Sequence, residues 1–284
     1  MKTILVPTDF SLNATAALDY AAALARKEKA RMVILHAVHL SYELPEMHGE
    51  PIPADAGRNK KDASKRLAMM CSGIRSKFGV DCTSVTKAGF AQDIIIESIR
   101  EIHPDLVIMG TKGESGFKSQ ILGSNASNIM DKATCPVLVV PEKAEINRTG
   151  RILYATDYLA SDVESLAQLV VIAKALKASI EVLHISDRDY SEEAENYFME
   201  EFEQRVRKKI VYKKLNFHLL TGKSFEKELE NYVKEAQPEI LAMSAQHRGL
   251  FDKLFRKSHT QYAAYHTNIP LLVFHHKKEA VIFF

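Results

Sequence analysis

The sequence has little of what most readily betrays a function. Charge of one sign is missing: 38 basic residues stand against 36 acidic ones over 284 residues, a formal charge of +2. That is too small and too dispersed a balance for nucleic-acid binding to be the main activity. No apolar run approaches the roughly 20 residues that span a bilayer, and Met1-Lys2 lead straight into Ile4-Leu5-Val6 without a secretory segment. These features predict a cytoplasmic protein that does not engage a membrane. Three cysteines, Cys71, Cys82 and Cys135, form no CxxC pair and leave one unmatched in any disulfide scheme, which points to buried or free thiols in a reducing compartment. The P-loop pattern GxxxxGK[ST], a GxGxxG after the first strand, the GxSxG elbow, the HExxH helix and an SGGxDS-type loop are all missing, so no catalytic residue is assigned. His247, His259, His266, His275 and His276 lack tight ligand spacing except at 275-276, whose side chains would point to opposite faces of a strand, and no metal site is assigned to them.

What is present is a soluble globular composition, 46% hydrophobic and 26% charged, in a chain long enough for two ordinary domains. The most informative stretch is Asp105–Pro141. It reads as a buried strand over Leu106–Met109, a glycine-punctuated loop, a helix from Gly123-Ser124 to about Ala133, and a second buried strand over Pro136–Val140. Gly110, Gly113 and Gly123 allow close approach of backbone to a ligand. The amides after Gly123 would be the unpaired N–H groups of a helix start, where phosphate is favoured by hydrogen bonding and by the helix dipole.

Upstream, Ile4–Val6 is a continuous apolar run, as expected of a parallel strand covered on both faces. Ser11 or Asn13 can cap the next helix, whose Ala14, Ala17, Leu18, Ala21, Leu24 and Ala25 make a narrow face of mostly small residues. A strand follows at Met32–Val38. Residues 39–59, with Pro45, Gly49, Pro51, Pro53 and Gly57, predict a loop, read first as a variable surface insertion and second as a lid. Ala63, Leu67, Met70, Cys71, Ile74 and Phe78 mark an amphipathic helix, in which Met69-Met70-Cys71 reads as core. Val80–Lys87 is a more polar strand, suited to a sheet edge, and Ala91–Ile102 is a helix with Ile95, Ile99 and Ile102 inward. This alternation predicts a parallel sheet wound by right-handed crossovers.

After a charged linker, 142–150, the pattern restarts. An offset of 148 places Ile152–Asp157 on Ile4–Asp9 and Leu183-His184 on Leu35-His36. An offset of 134 places Glu239–Met243 on Asp105–Met109 and Pro270–Val273 on Pro136–Val139. The chain is a tandem duplication. Its second copy has a helix over Ser191–Ile210 with the stripe Ala194, Phe198, Phe202, Val206 and Ile210, basic at its end, and an apolar tail over Glu279–Phe284.

The spacing Gly110-x2-Gly113-x9-Gly123-Ser124 between two apolar strands resembles the ATP-binding signature of the universal stress protein family. The runs Ile4–Ser11 and Ile34–Val38 are similar to that family's first two strands. The resemblance implies an α/β fold, adenine-nucleotide alpha-hydrolase-like, with two tandem doubly wound domains over 1–141 and 151–276 and a tail over 277–284. Each would hold a five-stranded parallel sheet in the order 3-2-1-4-5. It implies ATP with Mg as the ligand of the first domain. The contacts it carries over are Pro7, Thr8 and Asp9, Ala37 beside the adenine, Met109, Gly110 and Gly113 along the ribose and phosphates, and Gly123, Ser124, Asn125 and Ala126 at the helix start. Ala37 and Asn125 stand where the family commonly has valine.

The second copy departs further: Gly110 becomes Ser244, Gly113 becomes His247 and Gly123 becomes Lys257, while Ser124 remains Ser258 and Asp9 remains Asp157. It is expected not to bind ATP in the family manner. The reading is a regulatory, stress-response module in which ATP orders the 113–123 loop for an unknown protein partner. The two halves of the chain are expected to mimic the family dimer, with further homodimerisation open. A slow ATPase or self-phosphorylating enzyme, and a nucleotide-independent scaffold or small-ligand carrier, are the alternatives.

Overall fold

The computed structural model describes residues 1–39, 42–43, 52–53, 56–111, 123–146, 149–186, 191–245 and 269–275. The chain divides into two compact units between Glu142 and Lys143.

In the first unit, β1 (Thr3–Pro7), α1 (Leu12–Glu28) and β2 (Arg31–Val38) form the opening βαβ element. Two two-residue strands, β3 (Tyr42–Glu43) and β4 (Ile52–Pro53), pair antiparallel. α2 (Ala56–Phe78), β5 (Cys82–Ala88), α3 (Ala91–Ile102), β6 (Leu106–Gly110), α4 (Ser124–Lys132) and β7 (Val137–Val140) complete it. The sheet runs β5-β2-β1-β6-β7, all parallel, which is the expected 3-2-1-4-5 winding. β1, at its centre, is buried along its whole length, whereas β5 at the edge is buried only at Cys82 and is exposed or half-buried beyond it. That contrast is the reason a central parallel strand reads as an uninterrupted apolar run.

α1 is held at its start by Ser11, whose Oγ accepts from the Ala14 amide at 3.2 Å, satisfying one orphan donor of the first turn. All six residues of its expected inner face are buried. α2 begins at Ala56, inside the stretch expected to be a loop, and most of the supposed lid falls outside the described residues. On α2, Leu67, Cys71 and Ile74 are buried but Met69 is 69% exposed, so the Met-Met-Cys run is only partly core. The helix period explains it: residues 67, 71 and 74 share a face that 69 does not.

The second unit repeats the plan with β8 (Arg151–Ala155), α5 (Ala160–Leu176), β9 (Ser179–Ser186), α6 (Glu192–Lys209), β10 (Leu215–Thr221), α7 (Phe225–Ala236), β11 (Ile240–Ser244) and β12 (Leu271–Phe274). Its sheet order, β10-β9-β8-β11-β12, is again 3-2-1-4-5. α6 departs from expectation. Its buried stripe is Glu195, Phe202 and Val206, while Phe198 is 44% exposed and Ala194 half-buried. The core-facing line is turned toward Glu195, a carboxylate that apolar periodicity could not flag. Two cations of its basic end are engaged: Arg207 pairs with Glu203 at 2.6 Å, and Arg205 donates to the Tyr158 carbonyl at 3.3 Å. The apolar tail lies outside the described residues. Among the described residues no helix is long and apolar enough to cross a membrane.

Candidate functional site

Parallel winding leaves a crevice beyond the C-terminal strand ends where the chain's crossovers diverge, here between β1 and β6. In the first unit β1 delivers Thr8, Asp9 and Phe10 to that edge. Thr8 is still tied to the sheet, donating its amide to the Leu35 carbonyl at 2.8 Å. The chain then turns sharply, because Phe10 takes a left-handed conformation at φ 66°, rare for a non-glycine residue. Three contacts hold it: its amide donates to Thr8 Oγ1 at 3.0 Å, its ring lies 4.4 Å from the His36 ring, and the Arg66 guanidinium of α2 sits 4.1 Å above it. His36 Nδ1 donates to the Thr8 carbonyl at 2.7 Å, which ties the ends of β1 and β2 together. Asp9 Oδ1 accepts from the Ser11 amide at 3.0 Å, so Asp9 shapes the turn while Ser11 is the helix cap. Ala37 is half-buried beside His36.

On the other side of the crevice β6 ends at buried Met109 and half-buried Gly110. A Cβ at Gly110 would stand 2.8 Å from the Asn13 carbonyl carbon and 2.9 Å from its oxygen. This glycine therefore lets the first turn of α1 lie against the strand end. Asn13 also meets Thr111, side chain to side chain, at 3.1 Å. Gly123 is different. At φ −63° and ψ 148° it is the N-cap of α4 in a conformation open to any residue, and what it contributes is the lack of a side chain. Its amide donates to the Thr111 carbonyl at 2.7 Å, which fixes the helix start to the end of β6.

Ser124 and Asn125 are exposed and Ala126 is buried. The first turn of α4 contains no acidic residue. Amides of a first turn have no partner within their own helix, so this end offers donors and a positive partial charge without a resident carboxylate. Gly113 and the rest of 112–122 lie outside the described residues.

The second unit repeats the turn and changes its surroundings. Tyr158 sits at φ 63°, donates its amide to Thr156 Oγ1 at 3.0 Å and stacks on His184 at 4.2 Å. His184 Nδ1 donates to the Thr156 carbonyl at 2.7 Å, reproducing the His36 contact. But α6 adds a buried carboxylate to this turn, beside the Arg205 guanidinium that meets the Tyr158 carbonyl. Ser186 Oγ donates to Glu195, whose Oε2 lies 3.9 Å from His184 Nε2, and Asp157 Oδ1 lies 3.9 Å from Nδ1. Burial, and then the charge of Glu195, push the Tyr158 hydroxyl above its ordinary pKa. Phe202 packs 5.2 Å from Tyr158.

The helix cap is also rebuilt. Leu159 replaces Ser11, and fully buried Asp162 accepts from its amide at 3.2 Å, from Tyr154 Oη at 2.9 Å and from Thr156 Oγ1 at 2.7 Å. Ser244, at the Gly110 position, is fully buried; His247, Lys257 and Ser258 lie outside the described residues.

The family model described as the universal stress protein family matches residues 1–141 and again 149–275. The chain belongs to the universal stress protein family. A universal stress protein of Thermus aquaticus is 30% identical over 143 residues, which cover 49% of this chain and 98% of the relative. One of Methanocaldococcus jannaschii is 30% identical over 142 residues, 49% of this chain and 81% of the relative. The solved universal stress protein of Archaeoglobus fulgidus aligns over 97% of both chains with a TM-score of 0.70 at 19% identity, a likeness of fold. Each of these two relatives covers about half of this chain, and the family model matches it twice.

Against this universal stress protein frame, the structure brings Pro7, Thr8, Asp9, Ala37, Met109 and Gly110 to one sheet edge, with Gly123 attached through Thr111. Sequence reasoning overlooked Phe10, His36 and Arg66 in the first unit, and Asp162, Ser186 and Glu195 in the second. A signal for two of these was present: the offset of 148 superimposes His36 on His184 and an aromatic Phe10 on an aromatic Tyr158. Among the described residues no group of three His, Cys, Asp or Glu side chains could hold a metal ion.

Proposed function

We propose that the first unit binds ATP, with Mg accompanying the phosphates, and that the second unit is a degenerate copy without this activity. The supporting observation is the start of α4: a side-chain-free N-cap pinned by Thr111 to the end of β6, followed by a first turn with no acid. Phosphate would take the amides after Gly123, through Ser124, Asn125 and Ala126. The adenosine would lie across the strand ends at Pro7, Thr8, Asp9 and Ala37, with Met109, Gly110 and Gly113 along the ribose and phosphates. Arg66, over Phe10, adds a cation on the β2 side of the crevice.

The second unit supports its own exclusion. Glu195 stands 3.9 Å from His184 at the place corresponding to the His36 turn, where the first unit has no described carboxylate besides Asp9, the counterpart of Asp157, and an added carboxylate opposes a polyphosphate. The protein would act by presenting different surfaces with and without nucleotide to a protein partner, since a ligand shifts an equilibrium only through differential affinity for its states. The test is to denature freshly purified full-length protein and identify what is released. Adenine nucleotide at no more than one molecule per chain is expected; nucleotide-free protein that also fails to take up Mg-ATP would overturn the proposal.

A further inference from the structure

The strand-end crevices leave unused one pair of reactive groups at the opposite end of α2. Cys71 faces inward from α2, and Cys82 is the first residue of the edge strand β5. They are 3% and 0% exposed, and Cys82 Sγ lies 3.0 Å from Cys71 Sγ. Non-bonded sulfurs rarely pack so closely; a bonded pair stands at about 2.05 Å. Nothing separates them, and Gly79, in a left-handed conformation at φ 66°, is the turn that brings β5 back under the helix. The surroundings reinforce the junction, since Arg75 on the same helix donates to the Cys82 carbonyl.

We propose that Cys71 and Cys82 are a redox pair that closes to a disulfide under a peroxide-class oxidant and opens again with thiol reductant. The thiolate of one cysteine attacks a peroxide oxygen, the O–O bond breaks, and a sulfenic acid and water form. The second cysteine, as its thiolate, attacks the sulfenic sulfur; the S–S bond forms, the S–O bond breaks and a second water leaves. Two electrons pass from the two sulfurs to the peroxide, and the two thiol protons end in the two waters. Burial, then the hydrogen bond with Cys71, push the Cys82 thiol upward, which leaves little thiolate and makes the reduced pair slow to react. Reaction goes through opening of the edge strand, the part of a sheet that frays most readily. Cys135 is more exposed than either.

The bond would tie α2 to the sheet edge, and α2 also places Arg66 against Phe10. Its bearing on the crevice rests on the nucleotide reading; the disulfide itself does not. The test is to expose the folded full-length protein to hydrogen peroxide, block remaining thiols with an alkylating agent in denaturant, and map the peptides. Two of the three thiols should become unavailable, with Cys71 joined to Cys82, Cys135 alkylated, and full recovery of alkylation after dithiothreitol. Cys135→Ser should still form the link. If Cys71 and Cys82 both remain alkylatable while Cys135 is consumed, or if each is oxidised singly without a link, the proposal is wrong. Because the readout is a mapped bond, it is blind to whether ATP binds.

Discussion

The Phe10 ring lies 4.4 Å from the His36 ring, and the backbone of Phe10 is left-handed at φ 66°. Tyr158 and His184 repeat the arrangement at 4.2 Å and φ 63°. In both units the histidine Nδ1 donates to the carbonyl of the threonine two residues before the aromatic, at 2.7 Å. The turn that opens each crevice is thus held by a side chain from the neighbouring strand. Replacing His36 with Leu would leave the Thr8 carbonyl without this partner and cost about 1–3 kcal/mol, measured as a lower urea midpoint with unchanged slope. It should also weaken any ligand that uses Asp9.

Gly110 and Gly123 should separate cleanly in mutagenesis. Gly110→Ala pushes a methyl group into the Asn13 backbone and should destabilise the fold by about 1–3 kcal/mol, with or without ligand. Gly123→Ala has an allowed conformation and should cost less than about 1 kcal/mol. Equal destabilisation by the two variants would show that Gly123 also serves packing.

The two helix caps predict unequal losses. Ser11→Ala removes one hydrogen bond at a partly exposed helix start and should cost about 1 kcal/mol. Asp162→Ala strips the acceptor from Tyr154, Thr156 and Leu159 at once in a buried site. Each donor left buried costs about 1–3 kcal/mol, so this variant should lose several times more. Chemical denaturation of both, side by side, checks the ranking.

Acid should act on the second unit through Glu181. Burial alone would raise its pKa, but hydrogen bonds from His218 at 2.7 Å, Ser179 and Asn216 outweigh this and lower it. A carboxylate with a lowered native pKa contributes stability in full above its unfolded value, about 4.3, and loses that contribution as pH falls through the native value. Glu181→Gln should therefore flatten the acid limb of a stability-against-pH curve. Retention of the full acid limb in that variant would assign the limb to other carboxylates.

Much of this was legible in the sequence. The small-residue face of α1, the buried runs Ile4–Val6 and Leu106–Met109, and the tandem offset all express constraints that act locally or by periodicity. The glycines were read less well. Gly110 was read as a ligand contact alone, and its Cβ space is also filled by Asn13, which approaches from 97 residues upstream in the chain. Glu195 and Asp162 were invisible for a similar reason: a buried carboxylate depends on donors such as Ser186 and Tyr154 that only the fold assembles. Apolar periodicity reports which face is inward, and says nothing of a polar residue satisfied there.

Asn125→Asp offers the most direct test of the central claim, that the α4 start of the first unit receives nucleotide phosphate. The change is nearly isosteric, places a charge at an exposed position of an acid-free first turn, and should leave the helix as stable or slightly more so. Calorimetric titration of the full chain with Mg-ATP should give at most one site in the wild type and at least about tenfold weaker binding in the variant, a loss of about 1.4 kcal/mol, with no fall in melting temperature. Undiminished affinity in a normally folded Asn125→Asp protein would contradict the account.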